Sequence, residues 1–385
     1  MQSVLHRPSV VLCAAVCLYL SVLGSVSLRA WPQSTAPTQP GNALPSVRTG
    51  AEVYEAACAT CHARDGRGAP KSVVGFDTPI RDFTDCTASA EPSPDWFAVV
   101  HEGGPVRALD RRMPAFGDAL TADDIDKAVD YLRTFCADQD AWPVGDLNFP
   151  RAFFTEKAFP ENETVWTTDV STHGDQAVGN QLIYERRLGA RSQLEVIIPV
   201  DFQQADQRWV KGIGDVAFAL RRTFLSRPAT GTIAAAGAEV VLPTGNADRG
   251  LGNGYAIYEP FAMWGQALPR DSYFQMHGGL EFPSDSEKGT REAYLRSAIG
   301  TTFAQDRGFG RAWSPQVELL WARPFGGESE WDVVPQIQVS LSKLQHVLIA
   351  GGVRVPITQR EERHPRVLVY FLWDWFDGGL FSFWK

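Results

Sequence analysis

The chain has 385 residues, which at about 100–200 residues per domain suggests two or three domains. Hydrophobic residues make up 44% and charged residues 21%, a balance that excludes wholesale disorder. A formal net charge of −9 argues against a nucleic-acid partner.

Only one apolar run is long enough to cross a bilayer as a helix, so a polytopic helical membrane protein is excluded. It is Val10 to Leu28, VVLCAAVCLYLSVLGSVSL, flanked by Arg7 and Arg29. Residues 1–30 therefore read as a signal peptide, with an uncleaved anchor helix as the alternative. Residues 31–47 are rich in Pro, Ser, Thr and Gln and read as a flexible linker. Cys13 and Cys17 fall inside the signal run.

Thr49 to Ala57, TGAEVYEAA, carries Val53, Tyr54 and Ala57 towards one side of a predicted helix. Cys58-Ala-Thr-Cys61-His62 follows. C-x-x-C-H is the attachment signature of c-type haem. Two thiols three residues apart reach the vinyl groups along one porphyrin edge, and the next residue comes under the iron as proximal ligand. A zinc site would need a second ligand pair at comparable spacing, and none exists. One covalently attached haem c is expected. Gly66 and Gly68 make a tight turn beyond the motif.

The sixth ligand must come from further along, and a thioether is the usual choice. Met113, in Arg-Arg-Met-Pro-Ala-Phe, stands in a loop before a helix and is the candidate. His101, near the end of a predicted helix, is the competitor. Thr121 and Asp124 start the next helix with a capping-box pattern, and Ile125, Ala128, Val129, Leu132 and Phe135 form its apolar stripe. Cys86 and Cys136 remain as a pair in an exported chain. They read as a disulfide, with two buried thiols as the plainer alternative.

Together these features resemble a class I monohaem cytochrome c over residues 48–137: a first helix, CxxCH, a D-G-x-G turn, a loop with M-P-x-F, then L-T-x-x-D-I-x-x-x-V-x-Y-L. The resemblance implies an all-α domain, with Cys58 and Cys61 as thioether positions and His62 and Met113 as axial iron ligands. Ala63 departs from it, since many relatives carry Gly after the His. Residues 48–140 hold 17 acids and 10 bases, an acidic surface suited to steering a basic partner or simply to solubility.

Residues 141–162 read as a proline-containing connector. Beyond them the pattern changes to period two. Leu194, Val196, Ile198, Val200 and Phe202 share one face of a segment, and Trp331, Val333, Pro335, Ile337, Val339 and Leu341 one face of another. About twelve such segments are expected over residues 163–385, near nine to eleven residues long. That length suits strands that cross a membrane, and aromatics near their ends suit interfacial girdles. The prediction is an all-β antiparallel barrel of about twelve strands in the outer membrane; a soluble β-sandwich is the alternative. Gly212-Ile-Gly214-Asp215 resembles outer-membrane barrels associated with phenol-degradation pathways, and Phe381-Ser-Phe-Trp384-Lys385 resembles an outer-membrane targeting end. His173, His277, His346 and His364 show no metal-site spacing, and His277 reads as a solvated pore residue. No catalytic constellation emerges.

The expected protein is an exported multidomain chain whose cytochrome faces the periplasm, exchanging one electron with a periplasmic electron-transfer protein. It is more a carrier than a turnover enzyme. One alternative is a porin or transporter with a redox-sensing or docking cytochrome. A second follows from an architectural likeness to fused cytochrome–porin iron oxidases, which would make it an Fe(II) oxidase. Its full-sized cytochrome domain departs from that pattern.

Overall fold

The computed structural model describes residues 48–75, 80–173, 177–205, 208–304 and 312–374. The expected signal peptide, the linker and the aromatic C-terminal end lie outside them.

The first part is helical: α1 Gly50–Ala57, α2 Ala59–His62, α3 Lys71–Val74, α4 Ser93–Glu102 and α5 Ala122–Arg133. Reciprocal capping boxes start α1 (Thr49, Glu52) and α5 (Thr121, Asp124), each satisfying two otherwise orphaned N–H groups. α1 buries Val53 and Tyr54, and α5 buries Ile125, Ala128, Val129 and Leu132. The two helices meet closely at Gly50, where an added Cβ would stand 2.1 Å from the Lys127 carbonyl oxygen. Cys86 and Cys136 lie in a disulfide, S–S 2.00 Å.

The second part is a closed antiparallel barrel. The strands are β1 Glu163–Ser171, β2 Ala177–Leu188, β3 Ser192–Ala205, β4 in two segments, Arg208–Ile213 and Ala217–Arg227, and β5 Thr232–Val241. They continue as β6 Ile257–Leu268, β7 Ser272–Pro283, β8 Glu292–Thr301 with Phe303–Ala304, β9 Ala312–Pro324, β10 Glu330–Ser340, β11 Val347–Pro356 and β12 Arg366–Asp374. Fourteen segments thus make twelve strands. Closure comes from β12 pairing with β1, from Glu163↔Asp374 to Ser171↔Arg366. Among the described residues only the short Arg208–Ile213 and Phe303–Ala304 segments pair on one side alone.

The wall is inside-out for a soluble protein. Trp166, Leu220, Phe224, Leu295, Ile337, Ile349, Val353 and Val369 point outward and exposed, while Asn180, Glu185, Gln193, Arg221, Gln275, Gln316, Glu318 and Gln338 are buried within. An outward apolar band round a polar interior is the pattern of an outer-membrane barrel. At the break in β4, Asp215 of the G-I-G-D motif accepts N–H bonds from Gly245 (2.9 Å) and Asn253 (2.6 Å) and so pins the β5–β6 loop.

The interior is filled by the chain's own connector. Glu318 accepts N–H bonds from Phe153 (2.9 Å), Phe154 (3.0 Å) and Thr155 (2.7 Å), and the Thr155 hydroxyl (2.8 Å). Gln316 and Tyr370 each donate to the Arg151 carbonyl at 2.8 Å, Gln275 to that of Pro150 at 2.9 Å, and Thr223 to that of Ala158 at 2.7 Å. Arg151 pairs with Glu163 (2.8 Å) and Glu185 (2.5 Å), Lys157 with Glu161 (2.7 Å), and wall residue Arg221 with Glu156 (3.0 Å). Residues 149–161 form a luminal plug. His277 is therefore 2% exposed rather than solvated: the plug covers it and Tyr294 bonds its Nε2 at 3.0 Å.

An outward arginine tests the membrane-facing assignment. Leu220 is 56% exposed on β4. Leu220→Arg should cost about 2–4 kcal/mol in lipid vesicles if the site lies near the bilayer midplane. Denaturant titration of the vesicle-bound protein measures it, and a cost near zero would contradict an apolar surrounding.

Candidate functional site

Two helical turns build the site. Cys58 is the last residue capping α1, and Cys61 and His62 lie in α2. The turn after them is tightly braced. The Tyr54 hydroxyl donates to the Ala63 carbonyl at 2.5 Å, Gly68 N–H to that of His62 at 3.0 Å, and Ala69 N–H to that of Cys61 at 2.8 Å. Ala63 sits at φ 60°, ψ 162°, a conformation that glycine takes without strain. This is the physical reason a glycine suits the position after the His.

Phe83 N–H donates to the Gly66 carbonyl at 2.8 Å, and this places the Phe83 ring 4.9 Å from that of His62, stacked on it. Trp96 follows, 5.3 Å from Phe83. It packs against two buried clusters, one with Tyr54, Phe83, Leu132 and Cys58, the other with Val53, Val100, Ile125 and Met113. Phe83, which stacks on His62, and Met113 thus belong to neighbouring clusters that share Trp96. The Met113 loop is held by Gly104 N–H on the Met113 carbonyl (3.0 Å) and Met113 N–H on that of Asp110 (3.1 Å). His101 is engaged elsewhere, with Nδ1 2.7 Å from Glu102 and its ring stacked on Phe97.

The donor set fits a haem c. Cys58 and Cys61 are free thiols on adjacent turns. Burial pushes the Cys58 thiol up to about 11, with Cys61 adding to the shift. Burial pushes the His62 imidazole down to about 4, which keeps it neutral, the form that ligates iron. His62 Nδ1 and Trp96 Nε1 are buried without hydrogen-bond partners. The orphaned Nδ1 leaves Nε2 as the nitrogen that would face an iron, beside two free thiols that would hold the porphyrin. Tyr54, Phe83 and Trp96 escaped the sequence reading as site residues. Their apolar spacing marks them only as core.

The helical domain is docked on the barrel. Asp95 accepts from Arg107 (2.8 Å) and from Gln345 of the β10–β11 turn (3.1 Å). Arg191 of the β2–β3 turn donates to the carbonyls of Ala141 (2.8 Å) and Asp140 (2.6 Å). Arg187 lies 5.2 Å over Trp142 and 5.0 Å over Phe159, joining junction to plug.

Residues 45–132 match the family model of the cytochrome C oxidase, cbb3-type, subunit III, which covers less than half of the chain. Among solved structures, the KustC0563 c-type cytochrome is 26% identical, covering 23% of this chain and 99% of its own, TM-score 0.20. The KdgM porin in complex with disordered oligogalacturonate is 10% identical over 55% of this chain and 98% of its own, TM-score 0.37. The NanC porin is 8% identical over the same shares, TM-score 0.37. No curated protein matches the chain.

The protein is therefore a fusion of a c-type cytochrome domain to a closed twelve-stranded β-barrel. A cytochrome domain of this class points to haem c and electron transfer, and the inside-out barrel points to the outer membrane.

The strained turn gives a test. Ala63→Gly should stabilise the helical domain by about 1 kcal/mol, since relief of roughly 1–3 kcal/mol of strain exceeds glycine's entropic cost. Denaturant unfolding followed at the tryptophans would measure this, and destabilisation would contradict the left-handed assignment. Cys86→Ser should act the other way. Its loop spans a separation of 50 residues, and losing a bridge of that span costs on the order of 2–4 kcal/mol.

Proposed function

We propose that the chain is a one-electron carrier held at the outer membrane, with its cytochrome domain on the periplasmic side and one haem c attached through Cys58 and Cys61. His62 and Met113 would hold its iron. The observation that carries this reading is the docking of the CxxCH domain against the barrel end where the sheet begins, at Glu163, and ends, at Asp374.

Loop lengths support this orientation. At the docked end the described turns are short: 189–191, 228–231, 269–271 and 341–346. At the other end, connections 242–256, 284–291 and 357–365 are longer, although 325–329 is also short. Outer-membrane barrels turn briefly in the periplasm and loop outside, which supports a periplasmic cytochrome and an exported chain.

Bound haem c would supply one reversible electron per cycle. The chain does the rest. Tyr54 and the Gly68 N–H fix the carbonyls round His62, Phe83 and Trp96 keep water from the imidazole, and a thioether at Met113 favours the reduced state and raises the potential. The acidic surface of residues 48–140 suits a basic periplasmic electron-transfer protein as partner. The plug argues against a solute-conducting porin, since its backbone occupies the lumen from Pro150 to Glu161.

Met113→Ala in the holoprotein should abolish the Met–iron charge-transfer band of the oxidised form and lower the midpoint potential. A band that survives would assign the sixth position to another residue. Planar-bilayer recording tests the barrel's role. The wild-type protein should be close to silent, and Glu318→Ala, which strands three plug N–H groups, should produce conducting events. Stable open channels from the wild type would restore the porin reading.

A further inference from the structure

At the barrel end away from the cytochrome domain, two histidines from different connections meet. His173 follows β1 and His364 precedes β12, the neighbouring strands that close the barrel. The Thr172 hydroxyl donates to the Pro365 carbonyl at 2.5 Å and ties the two connections together. The imidazole rings stand 5.5 Å apart, centroid to centroid, with planes inclined by 39°. Both side chains are exposed. His173 Nδ1 lies 3.0 Å from the Thr172 hydroxyl, and its Nε2 is left to bind elsewhere.

Acidic and basic side chains around the pair are largely balanced, with Arg360 set against Glu361 and Glu362. The two adjacent arginines are neutralised: Arg363 by Glu330 (3.3 Å) and Asp332 (2.5 Å), Arg366 by Asp169. Glu361 and Glu362 are exposed on the same connection as His364.

We propose that His173 and His364 form a two-imidazole site for a divalent transition-metal ion, completed by water, at the seam between β1 and β12. The ring spacing carries the geometry. A metal–nitrogen bond is about 2.0–2.1 Å, and the ring centroid lies about 1.1 Å behind the nitrogen, so two imidazoles on a tetrahedral ion have centroids about 5 Å apart. Widening the angle at the metal to about 125° brings that to about 5.5 Å. The observed rings stand at this separation, and rotation of two exposed side chains would turn their nitrogens towards a shared ion. Imidazole selects Cu(II), Ni(II) and Zn(II) over Ca(II) and Mg(II), with Cu(II) bound most tightly. A bound ion would clasp the seam on the face opposite the haem domain, independently of the redox reading.

The test uses the full-length holoprotein in detergent with Cu(II) alone. Electron paramagnetic resonance should show one Cu(II) per chain coordinated by two imidazole nitrogens, displaced by excess Zn(II). His173→Asn and His364→Asn should each weaken binding by about tenfold or more, as losses at metal sites do. Faster gel migration of the unheated protein, unchanged in both variants, confirms that the barrel folds. Wild-type affinity retained in either variant, or a single-imidazole signal in the wild type, would overturn the site.

Discussion

One buried carboxylate governs how the two halves are joined. Glu318 takes the N–H groups of Phe153, Phe154 and Thr155, the Thr155 hydroxyl and an amide hydrogen of Gln336. Each side of the arrangement needs the other. A buried carboxylate without donors is expensive, and so are three successive N–H groups with no acceptor. The connector can enter the lumen only because the wall offers acceptors and donors at the right depth, and the wall's polar groups can stay dry only because the connector is there. Arg151, Lys157 and Arg221, set among Glu156, Glu161, Glu163 and Glu185, extend the same reciprocity. Networks of this kind contribute little net stability, but breaking one partner is costly, which favours a single arrangement.

That arrangement also fixes the cytochrome. The plug runs into β1 at Glu163 and back towards Leu147, Gly145 and Trp142. Gly145 packs against the Ala90 and Glu91 backbone, and Trp142 lies beside Arg187. The haem-binding turn is thus held through a short, packed path rather than tethered on a loose linker. The one haem proposed here would not span a hydrocarbon core of about 30 Å, so fixed orientation at one end of the barrel would decide which side exchanges electrons.

Much of this was legible in the chain because its signals are local. C-x-x-C-H, Thr121 with Asp124, and the alternation in β3 and β10 each lie within one element, and the expected twelve strands are present. The plug was not legible. AWPVGDLNFPRAFFTEKAFP has no period, and its partners lie far off in the chain: Glu318 is 163 positions from Thr155, and Glu185 is 34 from Arg151. The same distance effect misplaced His277, whose alternation gave its luminal direction and not the segment that covers it. Ala63 was visible as a departure from the family pattern, while its strain needed the backbone angles.

The central claim is a sealed barrel that presents a cytochrome on one side only. Unidirectional proteoliposomes and a membrane-impermeant protein reductant test it most directly. Added on the cytochrome side, the reductant should reduce the haem fully, and added on the side of the long loops it should leave the haem oxidised. Reduction at comparable rates from both sides would contradict the account.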